Sequence, residues 1–176
     1  MIRGMAESML VVEVEEAEPL VRHWRRKYDP NAALGLPAHV TALYPFRAPE
    51  LLGERDLGGL ARLAAQTDRF QFALSAIDEQ PGAISLRPVP DNHFRMLAAR
   101  LSEAFPDRPP PEGLGDAQPT LVVARLAKPD DQARVRQALA VGIEGSLPVA
   151  CVATALALYV SDRVGMWSCI GRFPFR

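Results

Sequence analysis

Apolar residues along the chain switch repeatedly between a period of two and a period near 3.6, and the switches predict an α+β fold. Residues 8–14 form a β-type run. Residues 16–28 follow as a helix in which Leu20, Val21 and Trp24 make an apolar stripe beside Arg22, Arg25, Arg26 and Lys27. Acidic residues open that helix and basic ones close it, the order its macrodipole favours, so the basic run reads as a solvated helix end. Residues 29–37 read as a loop that rims a cleft and delivers the chain to a second strand over 36–46. A helical pattern covers 49–65, after which 70–77 and 83–87 alternate in twos around Pro81-Gly82 as a hairpin-like pair. Residues 91–105 predict a helix with Asp91 as N-cap, and 106–119, with five prolines, predicts a loop and the best internal boundary. Beyond it come a buried strand over 119–126, a helix over 130–141, and a long hairpin of 147–160 with 166–173 around Ser161-Asp162-Arg163. Strand, helix, hairpin thus follows residue 39 and again follows residue 119, which predicts one unit over 1–176, bilobal, with its lobe boundary near 106–119 and a cleft between the lobes.

The second strand carries the candidate chemistry. Alternation turns His39, Thr41 and Leu43 to one face and Val40, Ala42 and Tyr44 to the other, so an imidazole and a hydroxyl share a surface. A lone His-x-Thr tripeptide recurs by chance and needs its context. His23, in the basic run, and His93, in the first turn of a helix, have no companions at ligand spacing and are expected on the surface.

Composition narrows the class of partner. Net charge is −1 and the pI about 6.3, which leaves no blanket of positive charge to hold long duplex nucleic acid, although a small anion remains a fitting ligand. Eighteen of the twenty basic residues are arginine. Cys151 and Cys169 have neither zinc-knuckle nor C-x-x-C spacing and are expected as reduced thiols that do not pair. No apolar run reaches the length of a membrane span, and the N-terminus has no secretory pattern, so a cytoplasmic protein without membrane contact is expected.

The run Pro37-Ala38-His39-Val40-Thr41, continuing into Leu43-Tyr44-Pro45-Phe46, resembles the first H-x-T strand of the two-histidine (2H) phosphoesterase superfamily, which includes 2'-5' RNA ligase-like proteins and cyclic phosphodiesterases. The resemblance implies a bilobal α+β fold of duplicated strand-helix-hairpin units, each presenting one H-x-T strand to a central cleft between antiparallel sheets. It also implies acid–base chemistry without a cofactor or metal. One histidine takes a proton from the attacking oxygen, the other protonates the leaving oxygen, and each Thr or Ser holds phosphate oxygens. Base and sugar would be read by loops, here 29–36 and 106–117.

The second motif departs from that pattern. Where the family commonly reads P-H-x-T-V-A-R, this chain reads Pro119-Thr120-Leu121-Val122-Val123-Ala124-Arg125, so Thr120 stands for the histidine and Val122 for the hydroxyl. A shifted alignment equates Gln118-Pro119-Thr120 with H-x-T but misplaces the following Val-Ala-Arg, and the ungapped one is preferred. Gln118, Thr120 and Val122 share a face by period two in either case, and none can shuttle a proton near neutral pH. Three functions remain open. The first is a binding protein for a small phosphorylated ligand, nucleotide or RNA end, with cyclic or 2'-5' phosphodiester chemistry weakened or lost. The second is a cyclic phosphodiesterase that uses His39 with help from water or substrate. The third is a non-catalytic cleft given to an apolar ligand or a partner protein.

Overall fold

Among the described residues, eight strands form one antiparallel sheet; from edge to edge they are Val149–Ala153, Phe70–Gln80, Ala83–Val89, Leu121–Arg125, His39–Leu43, Ser8–Glu13, Ala155–Ser161 and Trp167–Pro174. The computed structural model describes residues 6–107 and 118–176; residues 108–117, most of the expected lobe boundary and of the loop over 106–117, lie outside the described residues. In chain order the elements are β1 (Ser8–Glu13), α1 (Glu18–Tyr28), α2 (Pro30–Ala33), β2 (His39–Leu43), α3 (Glu54–Ala65), β3 (Phe70–Gln80), β4 (Ala83–Val89), α4 (Asn92–Ala104), β5 (Leu121–Arg125), α5 (Pro129–Ile143), β6 (Val149–Ala153), β7 (Ala155–Ser161) and β8 (Trp167–Pro174).

The two expected sheets are the halves β6-β3-β4-β5 and β2-β1-β7-β8, joined where Val40 of β2 lies opposite Leu121 of β5. Helices cover one side. Val21 of α1, Leu60 and Leu63 of α3, Phe94, Leu97 and Leu101 of α4, and Val135 and Leu139 of α5 pack with Leu10, Val12, Val40, Ile84, Leu86 and Leu121 of the strands in one buried core. Helix α1 lies against β5 and α4 against β2, so each half of the sheet is covered by a helix that follows a strand of the other.

The expected long hairpin is divided. Residues 147–160 break at Thr154: β6 pairs with β3 at one edge of the sheet, while β7 pairs with β1 and β8 near the other. A single residue joins strands that belong to opposite ends, so the sheet must curl until those ends meet. Backbone bonds close that corner, with Phe175 N–H donating to Thr154 O at 2.8 Å and Arg176 N–H to Thr67 O at 2.8 Å. Alternation alone cannot show this crossing, because Val149–Ala153 and Ala155–Ser161 both read as apolar strand. It also reshapes the repeat: the β3–β4 hairpin that follows β2 sits in the β5 half, and the β7–β8 hairpin that follows β5 sits in the β2 half.

Smaller corrections have local causes. Residues 49–65 divide into a 3-10 turn at Pro49–Leu51 and α3, with Gly53 at the break. Asp91 occupies the N-cap position of α4 without a side-chain cap, because its carboxylate pairs with Arg95 at 2.8 Å one turn on. Both cysteines are free. Cys169 lies opposite Tyr159 on β8, whereas Cys151 lies opposite Phe72 in the other half of the sheet.

Candidate functional site

The polar residues of β2 lie on the face of the sheet away from the helices. Val40 and Ala42 are buried toward the helices, which turns His39, half-buried, and Thr41, exposed, to the opposite side. The alternation then shifts. The β1–β2 ladder passes from Val11 opposite Thr41 to Leu10 opposite Leu43, leaving Ala42 as an extra residue, and Leu43 joins the helix-side core instead of the His39 face. Tyr44 correspondingly moves to the side away from the helices, against the cluster of Met9, Val11, Leu36, Ala157, Tyr159 and Trp167.

The imidazole is oriented by its own strand. Nδ1 lies 2.7 Å from the Pro37 carbonyl oxygen, which can only accept, so the neutral ring carries its proton on Nδ1 and offers the Nε2 lone pair. Burial pushes the His39 pKa down to about 4; the Pro37 carbonyl opposes this, Arg25 adds to it, Asp29 opposes it, and Arg125 adds to it. At neutral pH the ring is therefore a proton acceptor and not an acid.

Arg25 is the main residue the sequence reading misassigned. It is 2% exposed, not part of a solvated helix end, and forks onto Asp29 Oδ2 from Nε at 3.2 Å and Nη2 at 2.8 Å while Nη1 donates to Leu36 O at 3.2 Å. Asp29 in turn accepts from Asn31 N–H at 3.2 Å, capping the short α2, and lies 3.8 Å from Arg125 Nε. Residues 29–37 are thus a tethered strap with a helical turn inside it. Gly35 allows the tether to close: its φ is 102°, and a Cβ there would meet the Trp167 carbonyl oxygen at 2.9 Å. The i,i+4 spacing of Arg25 and Asp29 was the available signal for this pair.

Beside His39, Glu13 of β1 lies directly across the ladder. Its carboxylate accepts from Arg172 Nε at 3.0 Å and Nη2 at 2.9 Å, and from the Tyr159 hydroxyl. Burial raises the Glu13 pKa, but the hydrogen bonds from Arg172 and Tyr159 outweigh it and hold the carboxyl below its usual range. Glu13, Tyr159 and Arg172, with Glu18, Gly35 and Pro37, line a cavity of about 230 Å³.

The residues expected as a second half-site lie on β5 and in the segment leading into it. The strand begins at Leu121, so Val122 lies within it while Thr120 and Gln118 precede it; Pro119, with no N–H, cannot extend the ladder. Gln118 is exposed. Continuing the antiparallel register of Val40 and Leu121 by one residue each way sets Thr41 opposite Thr120 and His39 opposite Val122. Directly opposed Cβ atoms are about 5 Å apart and diagonal ones about 7–8 Å, so in that continued register His39 and Thr120 would be diagonal neighbours. Val122 is flanked on its other side by Ser85 of β4, which is buried. Among the described residues, no group of three or more His, Cys, Asp or Glu side chains could hold a metal ion, and no helix is long and apolar enough to cross a membrane.

Comparison with known proteins agrees with this architecture. The profile of the 2'-5' RNA ligase superfamily matches residues 12–165. The chain belongs to that superfamily. Among solved structures, E. coli LigT complexed with 3'-AMP is similar at 16% identity, with a TM-score of 0.63, over 96% of this chain and 97% of LigT. LigT complexed with ATP is similar at 15% identity and a TM-score of 0.57, over 96% of both chains. TT0787 of Thermus thermophilus is similar at 16% identity and a TM-score of 0.63, over 97% of this chain and 98% of that one. At these identities the likeness is one of fold. No curated protein matches the chain. In this member of the superfamily, the His39 strand and the strand entered through Thr120 are the adjacent central pair of the sheet.

Proposed function

We propose that the concave cleft binds a small phosphorylated ligand, a nucleotide or an RNA end at His39 and Thr41, and that cyclic or 2'-5' phosphodiester turnover is weakened or lost. The observation that carries this reading is the register about Val40 and Leu121. It relates His39 to Thr120 and Thr41 to Val122 by an approximate twofold, the pairing of the ungapped alignment, and so supports a second half-site without an imidazole. Two hydroxyls, Thr41 and Thr120, remain to donate to phosphate oxygens, and His39 Nε2 remains to accept a proton. Loss of one positioned acid or base typically slows such a reaction about 10²–10⁴-fold. LigT, of like fold, has been solved with 3'-AMP and with ATP, which supports a nucleotide as the ligand class.

The test pairs binding with turnover. Calorimetric titration with 3'-AMP should give binding that weakens in Thr41→Ala and in His39→Ala, while a panel of 2',3'-cyclic and linear 2'-5' phosphodiesters should show little or no hydrolysis. No binding of any phosphorylated probe overturns the reading. Fast hydrolysis abolished by His39→Ala favours the second reading, a cyclic phosphodiesterase assisted by water or substrate, for which the Nδ1 bond to Pro37 and the free Nε2 are the specific support. Equal hydrolysis by wild type and His39→Ala assigns the turnover to contamination.

A further inference from the structure

We propose that Arg87 of β4 completes the altered half-site as a phosphate-binding residue, and that the cleft thereby prefers a terminal phosphomonoester to a cyclic diester. This rests on the reading that the cleft binds phosphate at His39 and Thr41.

The assignment comes from the strand ladders. Ser85 lies opposite Val122 and Leu86 opposite Leu121, so the next step of the β4–β5 register sets Arg87 opposite Thr120. Leu86 is fully buried toward the helices, which turns Arg87 to the opposite face by alternation. Read across the sheet, one row on that face runs Thr41, Thr120, Arg87, with His39 diagonal to Thr120. Neighbouring strands are about 4.8 Å apart, so the Arg87 backbone stands about 10 Å from that of Thr41, and its long side chain can meet an anion seated over the two hydroxyls.

The guanidinium is available for such an anion. Its side chain is 49% exposed and Nη2 donates to Asp78 Oδ1 at 3.1 Å, one bond for a group that carries five N–H donors. Asp78 lies opposite Ser85 on β3, which anchors Arg87 from the side away from Thr41. The sign of the charge suits the site. His39 is neutral at pH 7, leaving Arg87 as the positive charge in this row of the face. A guanidinium also keeps its proton throughout the physiological range. It can therefore hold a phosphate oxygen in two parallel hydrogen bonds, but cannot protonate a leaving oxygen as a histidine would. Binding would survive the loss of the second histidine while proton transfer would not. A dianionic monoester offers this fork more charge and one more unesterified oxygen than a cyclic diester does.

The experiment is calorimetric titration of the full chain at pH 7 with 3'-AMP, adenosine 2',3'-cyclic phosphate and adenosine, using wild type, Arg87→Gln, Arg87→Lys, Thr41→Ala and Arg134→Gln. Arg87→Gln should weaken 3'-AMP about 10- to 100-fold, the worth of a charge-assisted hydrogen bond, with a smaller effect on the cyclic ester and none on adenosine. Arg87→Lys should fall between. Arg134, whose ion pair with Asp131 lies on α5, is the control for general charge, and Arg134→Gln should change nothing. If Thr41→Ala weakens 3'-AMP while Arg87→Gln stays within twofold of wild type, the Arg87 assignment fails and the phosphate cleft stands. Equal weakening by Arg134→Gln also overturns the assignment. If wild type binds neither phosphate, the functional reading fails and Arg87 falls with it. The Arg87–Asp78 pair is exposed and contributes little to folding, so unchanged thermal melts should accompany each variant.

Discussion

A fold that keeps His39 neutral must lose stability in acid, and the loss can be sized. The ring titrates at its ordinary 6.5 when unfolded and at about 4 when folded, so between those values the unfolded chain binds more protons. Stability from this group is full above pH 6.5, falls as pH drops, and is exhausted below pH 4. From these two values the loss at pH 5 is about 2 kcal/mol, and the partial contact of the residue with water lowers the expectation to about 1–2 kcal/mol. Urea unfolding of wild type and His39→Gln at pH 7.5 and pH 5 isolates it, because every other titrating group is common to both proteins. Wild type should lose about 1–2 kcal/mol more than the variant on going to pH 5. Parallel losses in the two proteins would falsify the view that burial, with Arg25 and Arg125, holds the imidazole in its accepting form.

Three further outcomes follow from the same geometry. Thr120→His with Val122→Thr should raise cyclic phosphodiesterase activity by about 10²-fold or more, lost again on His39→Ala, while Gln118→His alone should do little, since the register about Val40 and Leu121 relates His39 to Thr120 and not to Gln118; the reverse result in a hydrolysis assay would favour the shifted alignment. Arg25→Ala leaves Asp29 buried beside the more distant Arg125 alone and should cost about 3–5 kcal/mol by chemical denaturation, whereas a stability within 1 kcal/mol of wild type, roughly, would show the pair to be dispensable. Thiol titration without reductant should find both cysteines after denaturation but spare Cys151 in the native protein, where burial and then Glu16 push its thiol up to about 11.

Much of this was legible in one dimension. The order of elements follows from the period of apolar residues, which local packing on a helix or strand imposes directly: the strands at 8–13 and 39–43, the hairpin around Pro81-Gly82, and the helices near 18–28 and 92–104 all lie where the pattern predicts them. The H-x-T run exposed its own chemistry, because alternation on one short strand is enough to align His39 with Thr41. The same period misled at Leu43, since a bulge depends on the partner strand and adds a residue that no single strand can announce.

What the tertiary structure alone decided is everything that depends on which strands become neighbours. The break at Thr154 sends β6 and β7 to opposite ends of the sheet, a topological choice with no local signature. Arg25 looked solvated because a helix end is usually so; only the folded strap brings Asp29 and the Leu36 carbonyl around it and takes it from water. The proposed row from Thr41 through Thr120 to Arg87 joins residues distant in the sequence, related by continuing two strand registers. Registers are set by the burial of Val40, Leu121 and Leu86 together in the core: slipping one strand by a single residue would expose its whole apolar set, so the packing of those three residues fixes which polar groups meet on the other face.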